Sequence, residues 1–212
     1  METYREGNIE IKKVEVGPFG NNVYVLVDPV MGTSIVIDAA NEADKILSEV
    51  RGTKVLAILQ THCHMDHTLA LEAFRKETGA PVGIHPEEPS GRQFHPEILI
   101  EDGMDIEREG IRLKVLHTPG HTPGGVCFLM GSLLFCGDTV FPGGPGKTSS
   151  PQDFERLVES IKRKIYSLSD GTVLLPGHGA STTVGQSKEE YRVFAGKKRG
   201  YPVYGDVLWL ST

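Results

Sequence analysis

A crowd of metal-ligand side chains standing directly after an apolar strand restricts this chain more than any other feature. Val55 to Leu59 is a continuous apolar run of strand length, and it feeds into Thr61, His62, Cys63, His64, Met65, Asp66 and His67. Side chains two apart on an extended segment point to one face, so His62 and His64 can reach a single ion. Asp66 and His67 follow where the chain turns into a helix, which aims them at a second ion beside the first. Three more ligand types follow apolar strands further on. His121 lies in the stiff turn Thr118-Pro119-Gly120-His121-Thr122, Asp138 ends a strand in Cys136-Gly137-Asp138-Thr139, and His178 sits in Pro176-Gly177-His178-Gly179. A carboxylate at Asp138 can bridge two cations with its two oxygens. A lone His-x-His pair arises often by chance. Solvated polar loops do not explain four acid or imidazole groups within six residues, so the converging set reads as a metal site.

The rest of the chain supplies a frame of alternating strands and helices. Ile9 to Val16, Val23 to Val27 and Ser34 to Ala39 read as strands, the last ending in the acidic Asp38. Asn41 is placed to cap a helix over Glu42 to Val50, with Gly52 past its end. A helix around Leu69 to Phe74 and a strand at Val82 to His85 complete a β-α-β rhythm. In the second half, Met104 to Ile106 pairs with Ile111 to Leu116, and Val126 to Met130 with Leu133 to Cys136. A Gly-rich loop runs from Gly137 to Ser150, and Pro151 opens a helix to about Tyr166. Val173 to Leu175 is a buried strand, and Lys188 to Phe194 a further helix. The Gly-Pro-Gly loops are too brief to be linkers, so residues 1–212 read as one domain with two similar halves.

Composition narrows the function classes. With 22 Lys and Arg against 28 Asp and Glu the net charge is −6, which argues against a nucleic-acid partner. No run of about 18 apolar residues exists, so no membrane partner is expected. Met1 to Glu10 is too polar for a signal peptide. Three cysteines, Cys63, Cys127 and Cys136, are too few for a disulfide framework, and the expected location is cytoplasmic.

Taken together, these motifs resemble the metallo-β-lactamase superfamily over nearly the whole chain, from the first hairpin to His178. The resemblance implies an α/β (mixed α+β) fold, a four-layer αβ/βα sandwich with the metal site at one edge. It implies two divalent metal ions, zinc before iron or manganese. His62, His64 and His121 would hold one ion, Asp66, His67 and His178 the other, with Asp138 between them. A β-lactamase with a cysteine ligand would lack that aspartate, so the pattern is more similar to the glyoxalase II (hydroxyacylglutathione hydrolase) branch. Lys147, in Gly143-Gly144-Pro145-Gly146-Lys147, matches the position of a basic residue near the glutathione carboxylate there. Only 34 residues follow His178, too few for the helical domain of glyoxalase II proper, so the likeness is to its small single-domain relatives.

The implied activity is hydrolysis of a small-molecule ester or thioester by a hydroxide shared between the ions. Asp66 would orient that nucleophile and shuttle its proton. Two alternatives share the motif. One is a persulfide dioxygenase with a single iron, a branch that typically carries Arg where Lys147 stands. The other is a lactonase or β-lactam hydrolase. Among the remaining candidates, His117 reads as a partner behind the His121 turn rather than a ligand. His85 and His95, each followed by Pro, read as loop residues, and Cys63 and Cys136 as packing residues. Phe141 is a candidate pocket residue. Tyr201, Tyr204 and Trp209 line a pocket, pin the terminus or form the contact of a homo-oligomer.

Overall fold

Strand periodicity and parallel crossovers build the first half into one mixed sheet. The computed structural model describes residues 2–198, 200 and 202–212, the side chain of Arg92 excepted. In the first sheet the spatial order is β1 (Glu2–Glu6), β2 (Ile9–Val16), β3 (Asn21–Asp28), β4 (Thr33–Ile37), β5 (Lys54–Leu59), β6 (Val82–Ile84) and β7 (Ile98–Leu99). β1 to β4 form an antiparallel meander, and β4 to β7 run parallel. Parallel neighbours require crossovers. Helix α1 (Ala43–Glu49) links β4 to β5, and α2 (Met65–Thr68) with α3 (Leu71–Thr78) links β5 to β6.

The second sheet comprises β8 (Asp105–Arg108), β9 (Ile111–His117), β10 (Val126–Met130), β11 (Leu133–Gly137), β14 (Val173–Pro176) and β15 (Thr182–Thr183). Its order is β15-β14-β11-β10-β9-β8, with β11 and β14 parallel. Between β11 and β14 lie the small hairpin β12 (Val140–Phe141) and β13 (Gly144–Pro145) and the helix α4 (Pro151–Ser160), while α5 (Val184–Gly196) follows β15.

Alternation along the strands decides the layers. In β3, Val23, Val25 and Val27 pack with Ile46, Leu71 and Phe74 of the helices, while Tyr24 and Leu26 turn the other way. There they join Ile11, Ile35 and Leu59 against Leu113, Val115, Phe128 and Phe135 of the second sheet. In β11, Leu134 and Cys136 face Leu157, Ile161 and Ile165. The result is helix, sheet, sheet, helix, the αβ/βα sandwich. Each large apolar side chain buried between the layers contributes about 1.5–3 kcal/mol. Both sheets are covered on two sides, which is why every residue of β3 is buried.

The Pro151 start of α4 holds, and the structure adds a cap that the sequence reading places in the loop. Ser150 caps the helix, its hydroxyl accepting the Asp153 N–H at 3.1 Å, and Pro151 opens the first turn. A π-helical turn, Ile161–Ile165, then carries the chain to Tyr166. Elsewhere the structure corrects the reading. Asn41 does not cap α1: Glu42 takes the cap position with φ 50°, and the Asn41 side chain accepts the Glu42 N–H instead. The last helix is longer than Lys188 to Phe194, starting at Val184 under a Thr183 cap. Strand β1 has no apolar signature, because it is an edge strand paired with β2 and mostly exposed.

The C-terminal tail folds back. Trp209 is fully buried against Phe154, Tyr191 and Phe194, with ring centroids 4.7 to 6.3 Å away. Its backbone N–H donates to the Gly143 carbonyl at 2.7 Å, so it pins the terminus onto the loop after β12. Tyr204 is exposed, and Tyr201 lies outside the described residues. The cysteines are free and buried. Among the described residues no helix is long and apolar enough to cross a membrane.

Candidate metal centre

The candidate ligands follow the C-terminal ends of β5, β9, β11 and β14, at one edge where the sheets meet. Two backbone hydrogen bonds join the sheets there: Asn22 N–H to Gly177 O at 2.7 Å and Val126 N–H to Thr61 O at 2.9 Å. This seam turns distant loops into neighbours. His62, His64 and His121 form one group, Asp66, His67 and His178 another, and His62, His67 and Asp138 overlap both, with donor atoms inside each group within 4.8 Å.

Hydrogen bonds behind the rings decide which nitrogen is free. Nδ1 of His121 donates to the Lys147 carbonyl at 2.7 Å, and Nδ1 of His178 to the Phe19 carbonyl at 3.1 Å. Nδ1 of His67 faces Asp38 Oδ2 at 3.1 Å, and Nδ1 of His62 faces the Thr61 hydroxyl at 3.1 Å. All four therefore turn Nε2 inward as a lone-pair donor. His64 presents Nδ1, 3.0 Å from His121 Nε2. His67 Nε2 stands 3.2 Å from His178 Nε2, which is itself 3.2 Å from Asp66 Oδ2. Ligand atoms about 2.0–2.1 Å from a tetrahedral cation lie roughly 3.3 Å apart, so these spacings suit shared cations. Nε2 of His62 is buried with no hydrogen-bond partner, and the buried Oδ1 of Asp138 meets only His67 Nε2, at 3.4 Å, a costly arrangement unless a cation takes their lone pairs. Imidazole and carboxylate donors suit zinc, iron and manganese.

Asp138 sits in the middle. Its Oδ1 is 3.4 Å from His67 Nε2, and its Oδ2 is 3.6 Å from His121 Nε2 and 3.7 Å from His178 Nε2. Room for this exists because residue 177 is glycine: a Cβ there would stand 2.5 Å from Asp138 Oδ1 and 2.6 Å from His67 Cε1.

The electrostatics follow from burial and pairing. Burial pushes the His62 and His121 pKa values below the usual imidazole value. Burial acts on His67 in the same direction, but hydrogen bonds and charge from Asp138 and Asp38 outweigh it and raise His67 to about 10. Asp138 is the converse: burial opposes ionisation, yet His67 holds it far below the carboxylate range. In protein stripped of cations, His67 is thus an imidazolium between two carboxylates. A pKa raised on folding contributes stability that is complete below the unfolded value, about 6.5, and is lost as pH rises through the folded value. The depressed Asp138 contribution is complete above about 3.9 and lost only in strong acid. Chelator-treated protein should therefore show a melting temperature that falls between pH 7 and pH 10. A flat or rising profile, followed by circular dichroism, contradicts this pairing.

Two residues at the site have no role in the sequence reading. Asp38, buried with φ 58°, accepts from the Thr61 N–H and hydroxyl, each at 2.7 Å, as well as facing His67. An acid ending a buried strand beside the histidine-bearing strand is the signal that could have found it. Asn21 donates from Nδ2 to Asp66 Oδ2 at 3.0 Å and bridges to His178 through its backbone. Nothing in its turn-like sequence context announces that.

Other candidates fall elsewhere. Lys147 meets the site through its carbonyl, while its ammonium lies 3.8 Å from Asp206 and is largely exposed. Phe141 stands 6.4 Å from the His178 ring. His117 supports the loop that carries His121, its Nε2 donating to the Pro123 carbonyl at 2.9 Å, while its ring stacks on the buried His85 at 3.9 Å and 18°. With Glu87 these two form a further cluster of ligand types. An imidazole lone pair lies in the ring plane, so rings stacked face to face do not aim at one cation. His95 is an exposed loop residue, as read, whereas His85 is buried by the stack.

The family profile described as the Metallo-beta-lactamase superfamily matches residues 16–203. The chain belongs to the metallo-β-lactamase superfamily. As a member it is a metal-dependent hydrolase. It is 31% identical over 204 residues to the hydroxyacylglutathione hydrolase GloC of Haemophilus influenzae, covering 85% of this chain and 95% of that one. It is 33% identical over 179 residues to the probable polyketide biosynthesis zinc-dependent hydrolase BaeB of Bacillus velezensis, covering 81% of this chain and 78% of that one. Among solved structures, TTHA1623 in a di-iron-bound form superposes with a TM-score of 0.67 at 31% identity, covering 84% of this chain and 96% of that chain.

Proposed function

We propose that the protein hydrolyses thioesters, or related esters, of small molecules in the manner of glyoxalase II, with two divalent cations, zinc before iron or manganese. His62, His64 and His121 would hold one cation and Asp66, His67 and His178 the other, with Asp138 available to both. The observation that carries this reading is the central carboxylate, whose two oxygens face imidazoles of both groups. The likeness to GloC supports a thioester, and BaeB and TTHA1623 lend support to zinc and to iron respectively.

When bound, such cations supply a water of lowered pKa and a Lewis acid for the carbonyl oxygen. The protein's own groups do the rest. Asn21 holds Asp66 through Oδ2, leaving Oδ1 to take the proton of the attacking water and pass it to the leaving group. Asp38 and the Phe19 carbonyl keep the His67 and His178 rings in orientation. A groove of about 350 Å³ beside His64 and His121, lined also by Ser90, Thr122, Pro123 and Asp153, seats one arm of the substrate. Lys147, tied to His121 through its carbonyl, has a largely exposed ammonium beside Asp206 that would turn to meet an anionic substrate group. The free, buried cysteines suit a reducing compartment, and the cytoplasm is the proposed location.

The test is elemental analysis of protein purified without added metal, followed by a panel of acyl-glutathione thioesters, lactones and β-lactams. About two zinc equivalents and thiol release with the highest kcat/KM on thioesters are expected. About one iron equivalent, with oxygen consumed on a persulfide and no thiol released from thioesters, overturns the proposal.

A further inference from the structure

The loop after β6 carries a charged side chain that no ligand assignment uses. Glu88 is 3% exposed, yet its carboxylate faces three neutral donors. Oε2 accepts the Cys63 N–H at 2.8 Å. Oε1 accepts the Gly124 N–H at 3.1 Å and the Thr122 hydroxyl. Cys63 stands between His62 and His64, and Thr122 directly follows His121. One buried carboxylate therefore ties the loop bearing two imidazoles to the turn bearing the third. The neighbourhood is shaped around it: a Cβ on Gly124 would fall 2.5 Å from the Glu88 nitrogen and 2.9 Å from its Cγ.

We infer that Glu88 is a positioning residue, a clamp that sets the spacing of His62, His64 and His121 for one cation. The inference rests on the proposed sharing of a cation by these three histidines. Carboxylate chemistry is essential to the clamp. Glutamine has nearly the same shape but exchanges one acceptor oxygen for an NH₂ group. The Cys63 and Gly124 donors are backbone N–H groups and cannot reverse, so either orientation of the amide sets N–H against N–H. Aspartate is one methylene shorter and cannot span both loops. The supports of Asp66, His67 and His178 do not involve Glu88: they are Asn21, Asp38 and the Phe19 carbonyl.

The test compares wild-type and Glu88→Gln protein, stripped of cations and titrated with Co(II) by visible absorption and with Zn(II) against a competing chelator. The variant should bind one equivalent within about 3-fold of wild type and the other about 10- to 100-fold more weakly. The Co(II) spectrum of the weakened site should change, while the cation-free melting temperature moves by only a few degrees. Wild-type binding of both equivalents overturns the inference. So does equal weakening of both with a collapsed melting temperature, which marks a general structural role. Should Glu88→Gln fail to fold, Thr122→Val removes one donor and keeps the carboxylate. It should weaken the same equivalent several-fold, and an unchanged titration overturns the clamp. His64→Ala separates the two levels: if it spares that equivalent, the shared-cation reading fails whatever Glu88 does.

Discussion

Replacing Asp138 by alanine is expected to lower kcat/KM by at least about 10³-fold and to cut the metal content of the purified protein. The size of the effect comes from position. Removing the carboxylate takes a donor from both histidine groups at once and leaves His62, His67 and His121 with less charge to balance a cation. Changing a residue behind a ligand costs typically 10- to 100-fold in metal affinity or activity, and a shared ligand should exceed that. The fold itself should survive, because the packed layers are built from apolar side chains of the strands and helices and do not use this carboxylate. Elemental analysis, thiol release from thioesters and circular dichroism on one preparation check all three statements. Near-normal turnover in metal-depleted Asp138→Ala protein would sink the shared-carboxylate reading.

Trp209→Ala is expected to destabilise the protein by about 3–5 kcal/mol, the usual range for truncating a buried tryptophan. At about 2–4 °C per kcal/mol for a chain of this size, the melting temperature should fall by roughly 6–20 °C. The indole has no exposed surface and closes a cluster with Phe154 and Phe194 that joins α4 to α5. Its ring N–H has no partner, so its loss is one of packing and strands no acceptor. The same tail backs the loop that leads to Lys147. The Trp209 backbone N–H meets the Gly143 carbonyl, Gly143 N–H meets Glu190, and Thr148 pairs with Gly205. A loosened tail should therefore also raise KM while metal content stays normal. A melting temperature within 2 °C of wild type, a change of about 1 kcal/mol or less, would show that the tail does not hold this loop.

Much of this organisation is written locally. The i, i+2 spacing of His62 and His64, the apolar runs before each ligand loop and the Pro151 start of α4 are short-range patterns. Short-range patterns can be read without knowing what packs where. So the longer, buried strands, the fold class and the seven candidate ligands are legible in the order of residues. Other features depend on cross-sheet distances that spacing does not encode. Asp38 matters because β4 lies beside β5 and its carboxylate meets Thr61 and His67 across the strands. Asn21 reaches Asp66 only because β3 meets β14 at the seam. His117 sits four residues before His121 in the chain, and only the packing reveals that its ring also stacks on His85. Edge strand β1 carries no apolar signal because pairing, and not burial, holds it. The sequence by itself determined which groups could bind cations and on which loops they ride. Only the packing of two covered sheets decided which polar groups stand behind them, because buried hydrogen bonds between distant segments form wherever the layers bring donors and acceptors face to face.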